Sequence, residues 1–175
     1  HTKSRATWDA ATSLQALPGT RLRAHYGTAY RAPSLYEKHG AFLTEWGTFS
    51  VGNPTLSPER STGYDFGIEQ SLLGCRLVIG STYFRHDLIS QIDFVGSGYE
   101  NIEGQGHTWG VENFVDWRPF EGVKTRLSHT YTQGLTRGTG SFDIPKNQLG
   151  AEVEWKSGKF SVWTRGTYIG SRTVG

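Results

Sequence analysis

The residues best placed to do chemistry are crowded into one segment, Arg31–Glu59. It carries Tyr36, Glu37, Lys38, His39, Phe42, Glu45, Trp46 and Phe49. Aromatic rings at that density suit stacking on a flat ligand such as a macrocycle or a catecholate. His39 adds an imidazole to the same segment. Pro33, Pro54 and Pro58 restrict the backbone and argue against a wholly disordered segment. A connection longer than about 12–15 residues usually serves a function or is disordered. Tyr36, His39, Trp46 and Phe49 are therefore the expected ligand-contacting side chains.

The rest of the chain offers no comparable site. Glu152 and Glu154 share a strand face, as do Asp65 and Glu69, and paired carboxylates invite a hydrolase reading. Lys156, Arg126 and Arg165 stand on neighbouring faces of the same kind, however, so the pattern reads as a ladder of opposite charges. There is no G-x-S-x-G elbow, P-loop or C-x-x-C pair. In GQGHTWG (Gly104–Gly110) the last glycine comes one place too late for a dinucleotide fingerprint. Cys75 is the single cysteine, so no internal disulfide forms. His1, His25, His86, His107 and His129 lack H-E-x-x-H spacing, and no Asp cluster suggests a calcium loop. No enzymatic activity, cofactor or resident metal is expected. The net charge of +2 is too balanced for nucleic-acid binding.

The elements that would position such a loop are strands. Of 175 residues, 35% are apolar, 23 are Gly and 6 are Trp, and no stretch approaches the ~20 apolar residues of a spanning helix. Alternation of period two recurs instead. Ser4–Leu17 puts Ala6, Trp8, Ala10, Leu14 and Ala16 on one face. Thr20–Tyr30 sets Leu22, Ala24 and Tyr26 against Arg21, Arg23 and His25. Further runs are Arg60–Leu73, Cys75–Phe94, Tyr99–Trp117, Val123–Gln133, Lys146–Lys156 and Lys159–Gly170. Most exceed the usual strand length and match the ~9–11 residues that cross a bilayer at a tilt. Tight turns at Pro18-Gly19, Gly74, Arg118–Gly122 and Ser157-Gly158 alternate with long connections at 31–59 and 134–145 and an intermediate one at 95–98. That asymmetry, with charges on one face and aromatics near strand ends, predicts an antiparallel up-and-down transmembrane β-barrel segment of about eight strands. Trp8, Tyr26, Tyr30, Tyr83, Trp117, Tyr131, Trp155 and Tyr168 are expected to form its interfacial girdles.

Several segments resemble the barrel of TonB-dependent outer-membrane receptors. YGTAYRAPSLY (Tyr26–Tyr36) looks like the family's strand end and loop start around R-A-P. GNPTLSPERSTGYDFG (Gly52–Gly67) is similar to its N-P-x-L-x-P-E loop and following strand. STYFRHDLISQIDF (Ser81–Phe94), YENIEGQGHTWGVE (Tyr99–Glu112) and TYIGSR (Thr167–Arg172) match later strands, in order and spacing, across nearly the whole chain.

The resemblance implies an energised importer of the bacterial outer membrane. In such receptors a 22-stranded barrel encloses a plug, the TonB complex pulls the plug, and ligand binds at extracellular loops. The tail from Ile144 to Arg172 looks closest to the cobalamin transporters, which makes cobalamin the first expected ligand and a ferric siderophore or haem the next. Haem receptors place an iron-ligating histidine where His39 stands. The motif residues Arg31, Ala32, Pro33, Asn53, Pro54, Leu56, Pro58 and Glu59 are expected to brace the loop base. Outer-membrane lipid, the TonB complex (through a plug and TonB box not seen in this sequence) and the cobalamin or iron-chelate ligand are the expected partners. The absence of Met and of the family's closing strands suggests an internal piece of a barrel spanning residues 1–175. The competing expectation is a small, self-contained eight-stranded barrel with a structural or adhesive role, in which the first and last strands pair.

Overall fold

A computed structural model describes residues 6–102, 105–135 and 144–172. Its elements in chain order are β1 (Asp9–Leu17), β2 (Thr20–Arg31), α1 (Leu35–His39), β3 (Ala41–Thr44), β4 (Gly47–Ser50), β5 (Glu59–Leu72), β6 (Leu77–Ile89), β7 (Ile92–Val95), β8 (Gly98–Asn101), β9 (Gln105–Trp117), β10 (Val123–Leu135), β11 (Asn147–Ser157) and β12 (Phe160–Ile169). The eight long strands form one antiparallel sheet in the order β1-β2-β5-β6-β9-β10-β11-β12. Two small hairpins, β3-β4 and β7-β8, stand apart from it. This is the all-β, up-and-down segment of about eight strands that the alternation predicts.

Register sorts the side chains by chemistry. Directly paired residues share a face, and one face runs Leu14–Leu22–Ile68 and Ala24–Phe66–Tyr83–Val111–Tyr131 across successive strands. The other pairs Arg21 with Glu69, His25 with Asp65, and Glu152 with both Arg126 and Arg165. A slip of one residue would exchange the two faces, so the pattern itself pins the pairing.

Aromatic rings mark both ends of the apolar face. Toward the long loops, Tyr64, Tyr83, Trp109 and Tyr131 follow one another at centroid spacings of 6.4, 6.3 and 5.7 Å, and Trp8 lies 5.0 Å from Tyr26. Toward the tight turns stand Trp117, Trp155 and Phe160. Between these rows the register places no Asp, Glu, Lys or Arg on this face. Charge returns only at its outer end, in Arg60 and the Arg85–Asp87 pair at 2.9 Å. Among the described residues nothing covers the apolar face, and Leu14, Phe66, Leu127 and Tyr168 all stand exposed. In water such a surface would drive association, whereas hydrocarbon solvates it.

Three expectations need correction. The run Cys75–Phe94 is not one strand. Ser90 takes a left-handed conformation (φ 59°), so β6 ends at Ile89 and the chain turns into β7-β8. The connection expected at 95–98 is consequently the much longer 90–104. Cys75 does not start a strand either; it sits exposed in the turn at φ 65°. Finally, β1 and β12 lie at opposite ends of a linear strand order, so the first and last strands do not close a small barrel. Most of the expected long connection 134–145 lies outside the described residues.

Candidate functional site

At the long-loop end, residues 32–58 and 90–102 pack into a single cap. Its start is set by Ser34, which caps α1. The Glu37 N–H donates to Ser34 Oγ at 3.1 Å, and the Ser34 N–H donates to Glu37 Oε2 at 2.6 Å, a reciprocal box that satisfies two otherwise orphan donors. The backbone donation from Ser34, together with the Arg31 guanidinium, holds the Glu37 carboxyl below the usual carboxylate range.

Arg31 joins the two ends of the long loop. Its Nε donates to Glu59 Oε2 at 2.5 Å and its Nη1 to Glu37 Oε1 at 2.9 Å. A planar guanidinium can hold two carboxylates at once through its separate N–H groups. Glu59 has a second task, since its Oε1 accepts from the Ile92 N–H at 2.7 Å. That bond crosses from one loop to the other.

Asparagines complete the splice. Asn53 Nδ2 donates to the Tyr99 carbonyl at 3.1 Å, while its Oδ1 accepts from the Thr55 N–H at 3.0 Å. Asn101 Nδ2 donates to the carbonyls of Ser57 (2.9 Å) and Ser90 (2.8 Å), and its Oδ1 accepts from the Ser57 N–H at 2.7 Å. The backbones also meet directly, with the Tyr99 N–H on the Val51 carbonyl at 2.9 Å. Val51, Leu56 and Ile92 are the buried apolar residues among those described. The molecule's small dry core therefore lies in the cap. Gly52 is required by this packing, because a Cβ there would come within 2.5 Å of the backbone nitrogens of His39 and Gly40.

The four expected ligand-contacting residues all lie on the solvent side of this cap. Trp46 is 90% exposed at the tip of β3-β4, and Tyr36 is 53% exposed. Phe49 stacks on Phe42 at 6.0 Å, and His39 is exposed at the end of α1. All four stand exposed on the cap. Of the motif residues, Arg31, Asn53, Leu56 and Glu59 make the contacts just described. Pro58 is half-buried beside Glu59, Pro33 precedes the Ser34 cap, and Ala32 and Pro54 are exposed.

Sequence reasoning passed over three participants: Asn101, Tyr99 and Phe94. Tyr99 packs edge-on against both Tyr36 (6.1 Å) and Phe94 (5.3 Å), bridging the two loops with aromatic surface. Asn101 lies in the segment Tyr99–Glu112 that resembles the family, with nothing local to show what it would bind.

The charged face shows no catalytic constellation among the described residues. Arg23 pairs with Glu69 at 3.0 Å, His25 with Asp65 at 3.1 Å, Arg126 with Asp116 at 2.8 Å and Arg165 with Glu152 at 3.3 Å. Lys156 and Lys124 share Glu154. Glu69, Glu152 and Glu154 are thus each paired with a basic side chain, and Asp65 with the His25 ring.

The comparisons agree with this architecture. The family model described as TonB dependent receptor-like, beta-barrel matches residues 1–175. Among solved structures, the ferric enterobactin receptor PfeA of Pseudomonas aeruginosa superposes with a TM-score of 0.72 at 23% identity, over 97% of this chain and 30% of that one. The siderophore receptor PirA of Acinetobacter baumannii gives 0.76 at 18% identity, over 97% and 29%. The ferric-catecholate import receptor Fiu of E. coli K12 gives 0.71 at 16%, over 95% and 24%. The chain thus spans under a third of the length of these receptors. With its whole length matched, the chain belongs to the TonB-dependent receptor β-barrel family, whose members are outer-membrane transporters and not enzymes.

Proposed function

We propose that this segment supplies part of the barrel wall and one ligand-capturing cap of a receptor that imports a ferric siderophore. The observation that carries the reading is the aromatic rim of Tyr36, His39, Trp46 and Phe49, displayed on a cap whose base is tied down by Arg31, Glu37, Glu59 and Asn53. Exposed rings cost little to desolvate and stack on catecholate rings. A fixed base means that binding does not have to order the loop first. Ala32, Pro33, Pro54, Leu56 and Pro58 serve the base, and His39 contacts the ligand from the rim.

The names of PfeA, PirA and Fiu favour a ferric siderophore over cobalamin, which the tail from Ile144 to Arg172 had placed first. In the complete receptor, the TonB complex would act through a plug, and the apolar face of the wall would contact outer-membrane lipid.

The test uses the complete receptor carrying this segment, purified in detergent. Ferric enterobactin and cyanocobalamin are titrated against it and against Trp46→Ala. The expected result is binding of the ferric catecholate, weakened about tenfold in Trp46→Ala, as for an aromatic anchor. Binding of cyanocobalamin with no response to ferric enterobactin would overturn the ligand assignment. Equal affinity in the variant would remove the rim from the site.

A further inference from the structure

The apolar face ends differently at its two edges. At the tight turns it closes on Trp117, Trp155 and Phe160, and within the described strands the register places no charged side chain there. At the long loops the face runs on past the ring row into charge. Arg85 stands between Tyr64 and Trp109 in register, and its guanidinium meets Asp87 at 2.9 Å. Asp87 lies across from Thr62 and His107. Farther out, Arg60 lies across from Tyr30 and Ile89, about 13 Å along β5 from Tyr64. At the far edge of the sheet Arg172, bridged to Pro145 beyond the end of β12, continues the same alternation. Among the described residues of this belt, three arginines thus face a single carboxylate, Asp87.

We propose that the belt binds the phosphate group of an anionic lipid in the outer leaflet, with Arg60 and Arg85 as the groups that hold it. The proposal rests on the reading of the apolar face as lipid-facing. Side chains just outside a ring row lie at the depth of lipid headgroups, and an arginine reaches that depth while its apolar stem stays against the wall. Arg60 is exposed and makes no ion pair or hydrogen bond among the described residues. Asp87 takes Nε and Nη2 of Arg85, which fixes the guanidinium and leaves its Nη1 open. The planar N–H fork of arginine matches phosphate oxygens. The difference between the two edges argues for a charged headgroup as the occupant. A neutral headgroup would give the arginines no counter-charge, and the tight-turn edge, with its rings alone, asks for none.

The test uses the complete receptor in detergent, with bound lipid read by native mass spectrometry. The probes are bisphosphorylated lipid A, its phosphate-free counterpart and inorganic phosphate. The expected result is preferential binding of the bisphosphorylated form, weakened about fivefold in Arg60→Gln, the effect of one cation near a charged lipid surface. Arg60→Lys is expected to keep most of that affinity. Arg23→Gln, on the opposite face, is expected to change nothing. Heat-modifiable mobility on gels reports barrel folding in each variant. Equal binding of the two lipid forms overturns the proposal, as does unchanged affinity in folded Arg60→Gln and Arg85→Gln. Displacement of the lipid by inorganic phosphate at equal concentration also overturns it, because the site would then belong to the free ion. A receptor that retains neither lipid form overturns the lipid-facing reading as well, so the two failures are distinct.

Discussion

The wall and the cap are held together by opposite means. In the wall, order comes from the backbone ladder, and no side chain on either face needs to be dry. In the cap, short hairpins with few ladder bonds are fixed by side chains that reach backbone groups, over a buried cluster of Val51, Leu56 and Ile92. The uncovered apolar face of the wall suits hydrocarbon as its solvent. The cap stands in water and has to make its own. The lesson is that one chain can satisfy the same requirement, removal of apolar surface from water, from outside in one region and from inside in another.

The contrast can be broken most forcefully in the wall. Leu127→Arg puts a charge on the lipid face well inside the apolar band. It is expected to destabilise the barrel by about 2–4 kcal/mol, read as a lower urea midpoint for the whole receptor with the cap lost at the same denaturant concentration. A smaller and local effect is expected of Asn101→Ala, which strips two carbonyls and one N–H of their partner. The cost is about 1–3 kcal/mol, confined to the cap. Hydrogen exchange should rise over 53–58 and 90–101 while β5 and β6 keep their protection. An equal rise in those strands would show that cap and wall are one cooperative unit.

The gentlest probe is acid. The Glu37 carboxyl titrates below its ordinary value when folded, so its contribution is complete above that ordinary value of 4.5. It is lost as the pH falls through the depressed value. Exchange of the α1 amides, corrected for intrinsic rates, should therefore increase on acidification below about pH 4. Glu37→Gln should flatten that response, and an identical pH profile in the variant would exclude Glu37 as its source.

The same division explains what could be read from the sequence. Period-two alternation is a property of the strand itself, so Leu22 against Arg23, or Val153 against Glu154, announces both the strand and its faces. The tight turns were visible through Pro18-Gly19 and Ser157-Gly158. The cap carries no period. The left-handed backbone at Ser90 is unusual for a residue other than glycine, and the Ser90 carbonyl is held by Asn101, at the far end of the β7-β8 hairpin. An alternating run therefore continued on paper past the point where the strand ends. Tyr36, Trp46 and Phe49 were legible as a crowd of rings between prolines, and the fold leaves them exposed. Tyr99 and Phe94 were not, because their contact with Tyr36 exists only once two separate loops have docked.

The strand order carries a consequence for how the molecule forms. Every long strand lies beside its nearest long neighbour in the chain, so the sheet contains no distant pairing. Closing each hairpin costs little loop entropy, and each completed strand becomes the template for the next. Assembly can run along the chain like a zipper, from any starting hairpin. The cap is the exception. Its bonds from Glu59 to Ile92 and from Asn101 to Ser57 span two connections, so it locks only after β5 and β6 have joined the sheet. The cap is therefore expected to mature last, on a wall already in place.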